Sequence, residues 1–293
     1  MSLPNGPQIT GFFDPATSSI SYLVTDGTTG AAAIIDPVLD FDPKAARTST
    51  AAADGIIAAA AGLRVEWVLE THTHADHLSA AMYLKAKLGC RIGIGAHVTD
   101  VQQAWKGLFN LEAEFRTDGS QFDHLFVEGE QLHLGSLRLT VWHTPGHTPA
   151  CVSYIVQGDR GPACAFVGDT LFMPDYGTAR ADFPGGDARR LFRSIRRILA
   201  LPPETRVFVA HDYQPGGRPV AFETTVAEER RSNLHVKDGM DEEDFVAFRT
   251  ARDKTLGQPT LLLPAIQVNI RAGALPPPDE TGTSYLKIPL NRF

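Results

Sequence analysis

Apolar positions fall in short runs or strict alternation along most of the chain, separated by turns rich in Gly, Pro and Asp. Residues 8–36 read as a meander of three strands at 9–13, 20–25 and 31–35. Asp26-Gly27-Thr28-Thr29-Gly30 turns between the last two, and Asp36-Pro37 closes the third. An Ala-rich helix is predicted over 48–62 with Gly62 as its cap, then a strand over 65–70 and a short helix over 79–88 stopped by Gly89. A strand at 91–94, a helix at 97–108 and a polar loop at 110–122 follow, the loop expected over one edge of a site. Runs at 125–128, 131–134 and 137–143 predict a second antiparallel set, continued at 151–156 and 163–167.

Asp187 starts a helix as its N-cap, with Leu191, Phe192, Ile195, Ile198 and Leu199 at the helical period and Pro202-Pro203 after it. Arg189, Arg190, Arg193, Arg196 and Arg197 lie mostly on its other face and read as a solvated surface. A strand is predicted at 206–210 and helices at 221–235 and 241–255. The Pro-rich tail 259–293 carries strand-like runs at 265–271 and 285–288. Strands and outer helices recur in two halves, which implies an α/β chain of four layers, αββα, with helices flanking two facing sheets. No linker divides residues 1–293, so one domain is expected, with 259–293 a C-terminal extension packed on it.

Composition narrows the function classes. A net charge of -7 argues against nonspecific nucleic-acid binding, which needs a basic surface. The three cysteines, Cys90, Cys151 and Cys164, lack CxxC spacing and lie in or beside apolar segments, which predicts buried thiols in a reducing compartment. No apolar run reaches membrane-helix length, and no Lys or Arg precedes Lys44 to mark a secretory signal or transit peptide. A soluble cytoplasmic protein is expected, with no membrane partner.

Thr71-His72-Thr73-His74-Ala75-Asp76-His77-Leu78 places three of the ten histidines within six positions, a carboxylate among them, between a strand and a helix. Imidazole and carboxylate together are metal-ligand chemistry, and such a loop presents them on a rigid scaffold. His147, Asp169 and the pair His211-Asp212 each follow a strand. Residues just beyond strand ends converge on one rim, so together they point to a single site. By count alone, seven ligand-type side chains suit two metals at least as well as one.

His72-Thr73-His74-Ala75-Asp76-His77, followed in order by His147, Asp169 and His211, resembles the metallo-β-lactamase fold over roughly residues 8–235. In that superfamily His72, His74 and His147 would match one metal site and Asp76, His77 and His211 a second, with Asp169 bridging. Within it, Arg180-Ala181-Asp182-Phe183, His211-Asp212-Tyr213, residues 226–233 and Val268-Asn269-Ile270-Arg271-Ala272-Gly273 resemble persulfide dioxygenases related to the ethylmalonic encephalopathy protein, in the bacterial glutathione-dependent subgroup. The resemblance implies oxidation of glutathione persulfide with O2 and water to sulfite and glutathione. It implies one non-haem Fe(II) per chain on the catalytic set His72, His147 and Asp169, with His74, Asp76, His77 and His211 orienting groups around it. Arg180, Tyr213 and Arg271 are the implied substrate-binding residues, and Asp182 either holds a ligand histidine or caps a turn. A stand-alone homodimer is expected. The alternative is a dizinc hydroxyacylglutathione hydrolase of the glyoxalase II type. A catalytically silent binding module is the third reading, and the intact ligand set argues against it.

Overall fold

The structure is a computed structural model and describes residues 6–292. In chain order the first half forms β1 (Pro7–Asp14), β2 (Ser19–Asp26), β3 (Ala31–Ile35), β4 (Val38–Asp42), β5 (Arg47–Ser49), α1 (Ala51–Ala59), β6 (Arg64–Leu69), β7 (Leu78–Ser79), α2 (Ala81–Leu88), β8 (Arg91–Gly95), α3 (Val98–Phe109) and β9 (His124–Phe126). The second forms β10 (Gln131–Leu134), β11 (Leu137–His143), β12 (Val152–Gln157), β13 (Cys164–Phe166), α4 (Ala188–Ile198), β14 (Arg206–Phe208), β15 (Glu223–Thr225), α5 (Val226–Ser232), α6 (Glu242–Asp253) and α7 (Leu262–Asn269).

Two six-stranded sheets, β1-β2-β3-β6-β8-β9 and β10-β11-β12-β13-β14-β15, face one another. Between them lies an apolar core in which Tyr22 meets Phe166 and Phe208 edge-on at 5.2 and 5.6 Å. The Tyr22 hydroxyl crosses the core and donates to Val209 O at 2.5 Å, which satisfies its one buried polar atom. The outer face of the first sheet packs on α1 and α2 through Ala53, Ile56, Ala81 and Leu84. The outer face of the second packs on α4 and α6 through Leu191, Ile195, Ile198 and Phe245. The chain is therefore the expected four-layer αββα sandwich.

Several local expectations change. The run at 125–128 forms β9, which joins the first sheet parallel to β8, because the α3 crossover delivers it alongside rather than back. Residues 38–42 form an unexpected strand, β4, and with β5 and β7 make a small third sheet. The helix expected over 48–62 is shorter, since 47–49 form β5, and the helix expected over 221–235 begins only after β15. The run 265–271 is helical, not extended: α7 is buried on nearly every side, so its polar residues Gln267 and Asn269 point into protein, and alternation misreports the period. Residues 285–288 form no ladder; Lys287 instead exchanges two hydrogen bonds with the Gln267 side chain. The arginines of α4 face solvent as expected, and three of them also make surface ion pairs with glutamates. Arg189 and Arg193 pair with Glu242 of α6, and Arg197 pairs with Glu128. All three cysteines are buried and unpaired.

A candidate metal centre at the strand-end rim

Strands from both sheets end on one rim: β3 before Asp36, β6 before Thr71, β13 before Asp169 and β14 before His211. Gly168 makes the turn into Asp169 with φ +52, and a Cβ there would stand 2.6 Å from Thr71 Oγ1, so only glycine lets this strand end approach the histidine loop.

His72, His147 and Asp169 come together as expected, all buried, with ligand atoms within 4.8 Å of one another. Asp169 Oδ2 lies 3.9 Å from His72 Nε2 and 3.6 Å from His147 Nε2. The far side of each ring fixes its tautomer. Thr71 donates its hydroxyl to Asp36 Oδ2 at 2.7 Å, so the same oxygen is free to accept from His72 Nδ1 at 3.0 Å. His147 Nδ1 donates to the Arg180 carbonyl at 2.8 Å. Both Nδ1 atoms thus carry a hydrogen, and both Nε2 atoms are turned toward a carboxylate oxygen.

Ligand-type atoms therefore converge there without hydrogen bonds to satisfy them. His72 Nε2 and Asp169 Oδ1 are buried without a hydrogen-bond partner among the described residues. Such an arrangement is unfavourable unless a cation fills it, and a pair of neutral imidazoles with one carboxylate is a donor set that suits one. Burial, with neighbouring histidine charges, pushes His72 well below its usual range and keeps it neutral, as a ligand must be.

The remaining ligand-type residues surround this set. Asp169 Oδ1 lies 3.3 Å from His211 Nε2, which is 3.2 Å from Asp76 Oδ2, so Asp76, Asp169 and His211 form a second candidate group sharing the carboxylate. His74 Nε2 turns to Asp36 Oδ1 at 3.0 Å and Glu70 Oε2 at 3.6 Å. Burial opposes the charge on His74, but Asp36 and then Glu70 outweigh it and push it up to about 10, while burial and Asp36 push Glu70 up to about 8. Burial and the charge of His74 push His77 down to about 4, and its Nδ1 meets Leu78 O at 3.1 Å.

A cavity of about 550 Å³ opens over the rim and is lined by Asp76, His147 and Asp169 together with Phe172, Tyr176 and Phe183. Arg180 and Tyr213 line it too. Tyr213 stacks on Tyr176 at 4.5 Å between ring centres. The Arg180 guanidinium is held by both oxygens of Asp182 at 2.6 and 2.8 Å and by Gly257 O at 2.7 Å. Asp182 therefore serves this arginine and holds no ligand histidine. Arg271 does not line the cavity: it pairs with Glu112 at 2.7 Å and packs on Phe115. The segment 110–122 accordingly packs on α3 and Arg271 instead of edging the site.

Sequence reasoning missed three contributors. Asp36 follows a buried strand, the same context that marked Asp169, and that signal was there to be used. Arg249 and Arg252 of α6 line the cavity. Arg249 is buried against Asp253, whereas Arg252 is exposed and has no carboxylate partner among the described residues. A helix far along the chain gives no local sign of reaching the rim.

Comparison with known proteins agrees with this geometry. The chain is 59% identical over 97% of its length to a probable metallo-hydrolase of Burkholderia pseudomallei, covering 99% of that protein. It is 29% identical over 90% of its length to the mitochondrial persulfide dioxygenase ETHE1 of Homo sapiens, covering 88% of it. The crystal structure of ETHE1 from Myxococcus xanthus superposes with a TM-score of 0.70 and 28% identity, over 91% of this chain and all of that one. The profile described as Metallo-beta-lactamase superfamily matches residues 15–211, and the chain belongs to that superfamily.

Proposed function

We propose that the protein is a glutathione-dependent persulfide dioxygenase, converting glutathione persulfide, O2 and water to sulfite and glutathione. The observation that carries this reading is the His72–His147–Asp169 set, in which two imidazoles and one carboxylate lie with their ligand atoms within 4.8 Å of one another and His147 and Asp169 line the cavity. The likeness to ETHE1 supports it, since coverage of 91% of the chain extends past the residues 15–211 common to the superfamily.

Iron(II), one per chain, would be held by His72, His147 and Asp169 and would supply the redox chemistry. The protein's part is position and electrostatics. Asp36 and Thr71 hold one ligand ring and the Arg180 carbonyl holds the other, so neither rotates when the ligand set changes. Phe172, Tyr176, Phe183 and Tyr213 wall the cavity and limit water around the reacting sulfur. The glutathione moiety carries carboxylates. Among the described residues Arg252 lines the cavity without a carboxylate partner, and Arg180 and Tyr213 provide further polar contacts. The recognition role expected of Arg271 passes to Arg252.

A second reading rests on a specific observation. Asp169 belongs both to the His72–His147 set and to the Asp76–His211 set, an arrangement that suits a bridged pair of zinc ions and thioester hydrolysis. The Burkholderia relative is named as a metallo-hydrolase. Metal analysis with oxygen uptake on adding glutathione persulfide decides between them. About one iron per chain, with O2 consumed and sulfite formed, is the expected result. About two zinc ions, no uptake and anaerobic thioester cleavage would establish the hydrolase instead.

A further inference from the structure

The loop carrying His72, His74 and His77 has no regular secondary structure, yet its backbone is buried and must find partners. Asn269, at the C-terminal end of α7 and outside residues 15–211, supplies them. Its Nδ2 donates to His77 O at 2.7 Å and to His74 O at 2.9 Å, and its Oδ1 accepts from Ser79 N at 2.8 Å. The orientation of the amide is fixed by these partners, because a flipped side chain would set oxygen against two carbonyls. The residue is 4% exposed, so its side chain is committed to this one loop. Just beyond it, Gly273 adopts φ +85, and a Cβ there would stand 2.6 Å from Ser79 O; the turn after α7 is pressed on the same backbone. Gln102 Nε2 anchors the other side of the turn by donating to Ile270 O at 2.9 Å.

The histidine rings stand in a row, with centres 4.0 Å apart from His72 to His74 and 4.1 Å from His74 to His77. A shift of the His74–Ser79 backbone is therefore passed to His72 by contact. We infer that Asn269 is a positioning residue for the metal centre, and that α7 is a required part of that centre and not an appended cover. The inference rests on the reading of His72, His147 and Asp169 as a metal set. Its readout is metal affinity, so it holds for an iron oxygenase and a zinc hydrolase alike.

The test uses the full chain and Co(II) as the probe, with affinity from chelator competition and geometry from the visible ligand-field spectrum. Asn269→Ala removes the clamp. Asn269→Asp keeps the acceptor for Ser79 but sets a carboxylate oxygen against the His74 and His77 carbonyls. Both are expected to weaken Co(II) binding by about 10- to 100-fold, the range for residues that orient metal ligands, and to alter the spectrum. Gln267→Ala is the control: this residue is equally buried on α7 but bonds Leu263 and Lys287, not the loop, and wild-type affinity is expected. Wild-type affinity and spectrum in the folded Asn269 variants overturn the inference, as does an equal loss in Gln267→Ala. Where the Asn269 variants do not fold, or wild type binds no Co(II), hydrogen exchange in the metal-free wild-type chain decides. A slowly exchanging Ser79 amide supports the clamp, and a fast one overturns it.

Discussion

Strand β2 has a buried polar residue at each end, and the two ends are built in opposite ways. At one end Ser19 donates to Asp76 and faces His211 Nδ1, beside imidazole and carboxylate atoms that find no hydrogen-bond partner among the described residues. At the other end Asp26 accepts from Thr28 N, Thr29 Oγ1, Ser136 N and Ser136 Oγ at 2.6–2.9 Å. Both residues are 2% exposed. Asp26 ties the first sheet to the β10–β11 turn and is fully satisfied, so its work is structural. The rim around Ser19 keeps buried ligand-type atoms unpaired among the described residues, which the fold tolerates only where something else is to be bound.

The largest test of the contrast removes a charge from each end. Asp169→Ala is expected to abolish metal retention and lower turnover by roughly 10³-fold or more, the scale on which an essential group acts. The metal-free variant should melt no lower than the metal-free wild type, because a poorly satisfied carboxylate has gone. Full metal occupancy in this variant, or in His72→Ala, would refute the ligand set.

Asp26→Asn should do the reverse, leaving metal content untouched and lowering stability. Burial opposes the charge on Asp26, but the Ser136 amide, the Thr29 hydroxyl and the Thr28 amide outweigh it and hold the carboxyl down to about 2, against an ordinary 3.8. A folded-state value below the unfolded one means stability that is present above pH ~4 and lost as pH falls toward 2. At ~1.4 kcal/mol per pH unit the contribution is about 2 kcal/mol at neutral pH. Urea melts across this window should show wild type and variant differing by that amount at pH 7 and converging near pH 2. A gap that stays constant with pH would place the effect in packing rather than in the charge.

The two ends also differ in how much the sequence revealed. His72, His74, Asp76, His77, His147, Asp169 and His211 were legible because each stands just past an apolar run, and seven such residues do not gather by accident. Asp26 looked like an ordinary turn residue, since its partner Ser136 lies 110 positions away and no local pattern encodes that contact. Separation along the chain likewise hid Asn269, whose loop partners lie 190–195 positions away, and Arg252 on the late helix α6. The sheets were readable because most strands keep their period, whereas α7 was misread as a strand because Ile266-Gln267-Val268-Asn269-Ile270-Arg271 alternates strictly. That alternation reflects buried polar residues with specific backbone partners, not one face in water.

The candidate metal rim contains a finer version of the same comparison, because its two proposed histidine ligands are anchored differently. His72 leans on a side-chain relay through Thr71 to Asp36, and a substitution can break that relay. Thr71→Val keeps the shape and removes the hydroxyl, leaving His72 Nδ1 without its acceptor. Metal affinity should fall about tenfold by chelator competition, the lower end of the range for such partners. Unchanged affinity would show that ring packing alone holds His72.

His147 leans on the backbone carbonyl of Arg180, which no side-chain change removes. Arg180→Ala therefore separates the two jobs of that residue. The carbonyl is kept in place by the turn around it, where Ala181 N donates to Asp253 Oδ2 at 2.9 Å, so metal affinity should stay at the wild-type value. The guanidinium faces the cavity, so KM for glutathione persulfide should rise while kcat holds, as when binding common to ground and transition states is lost. Asp182, left without its partner, is 38% exposed at its side chain and can be rehydrated, which keeps the effect on folding small. Loss of metal in Arg180→Ala would mean that the Arg180–Asp182 pair, and not the turn, fixes the carbonyl. The two histidine anchors would then both depend on side chains, and the difference between them would disappear.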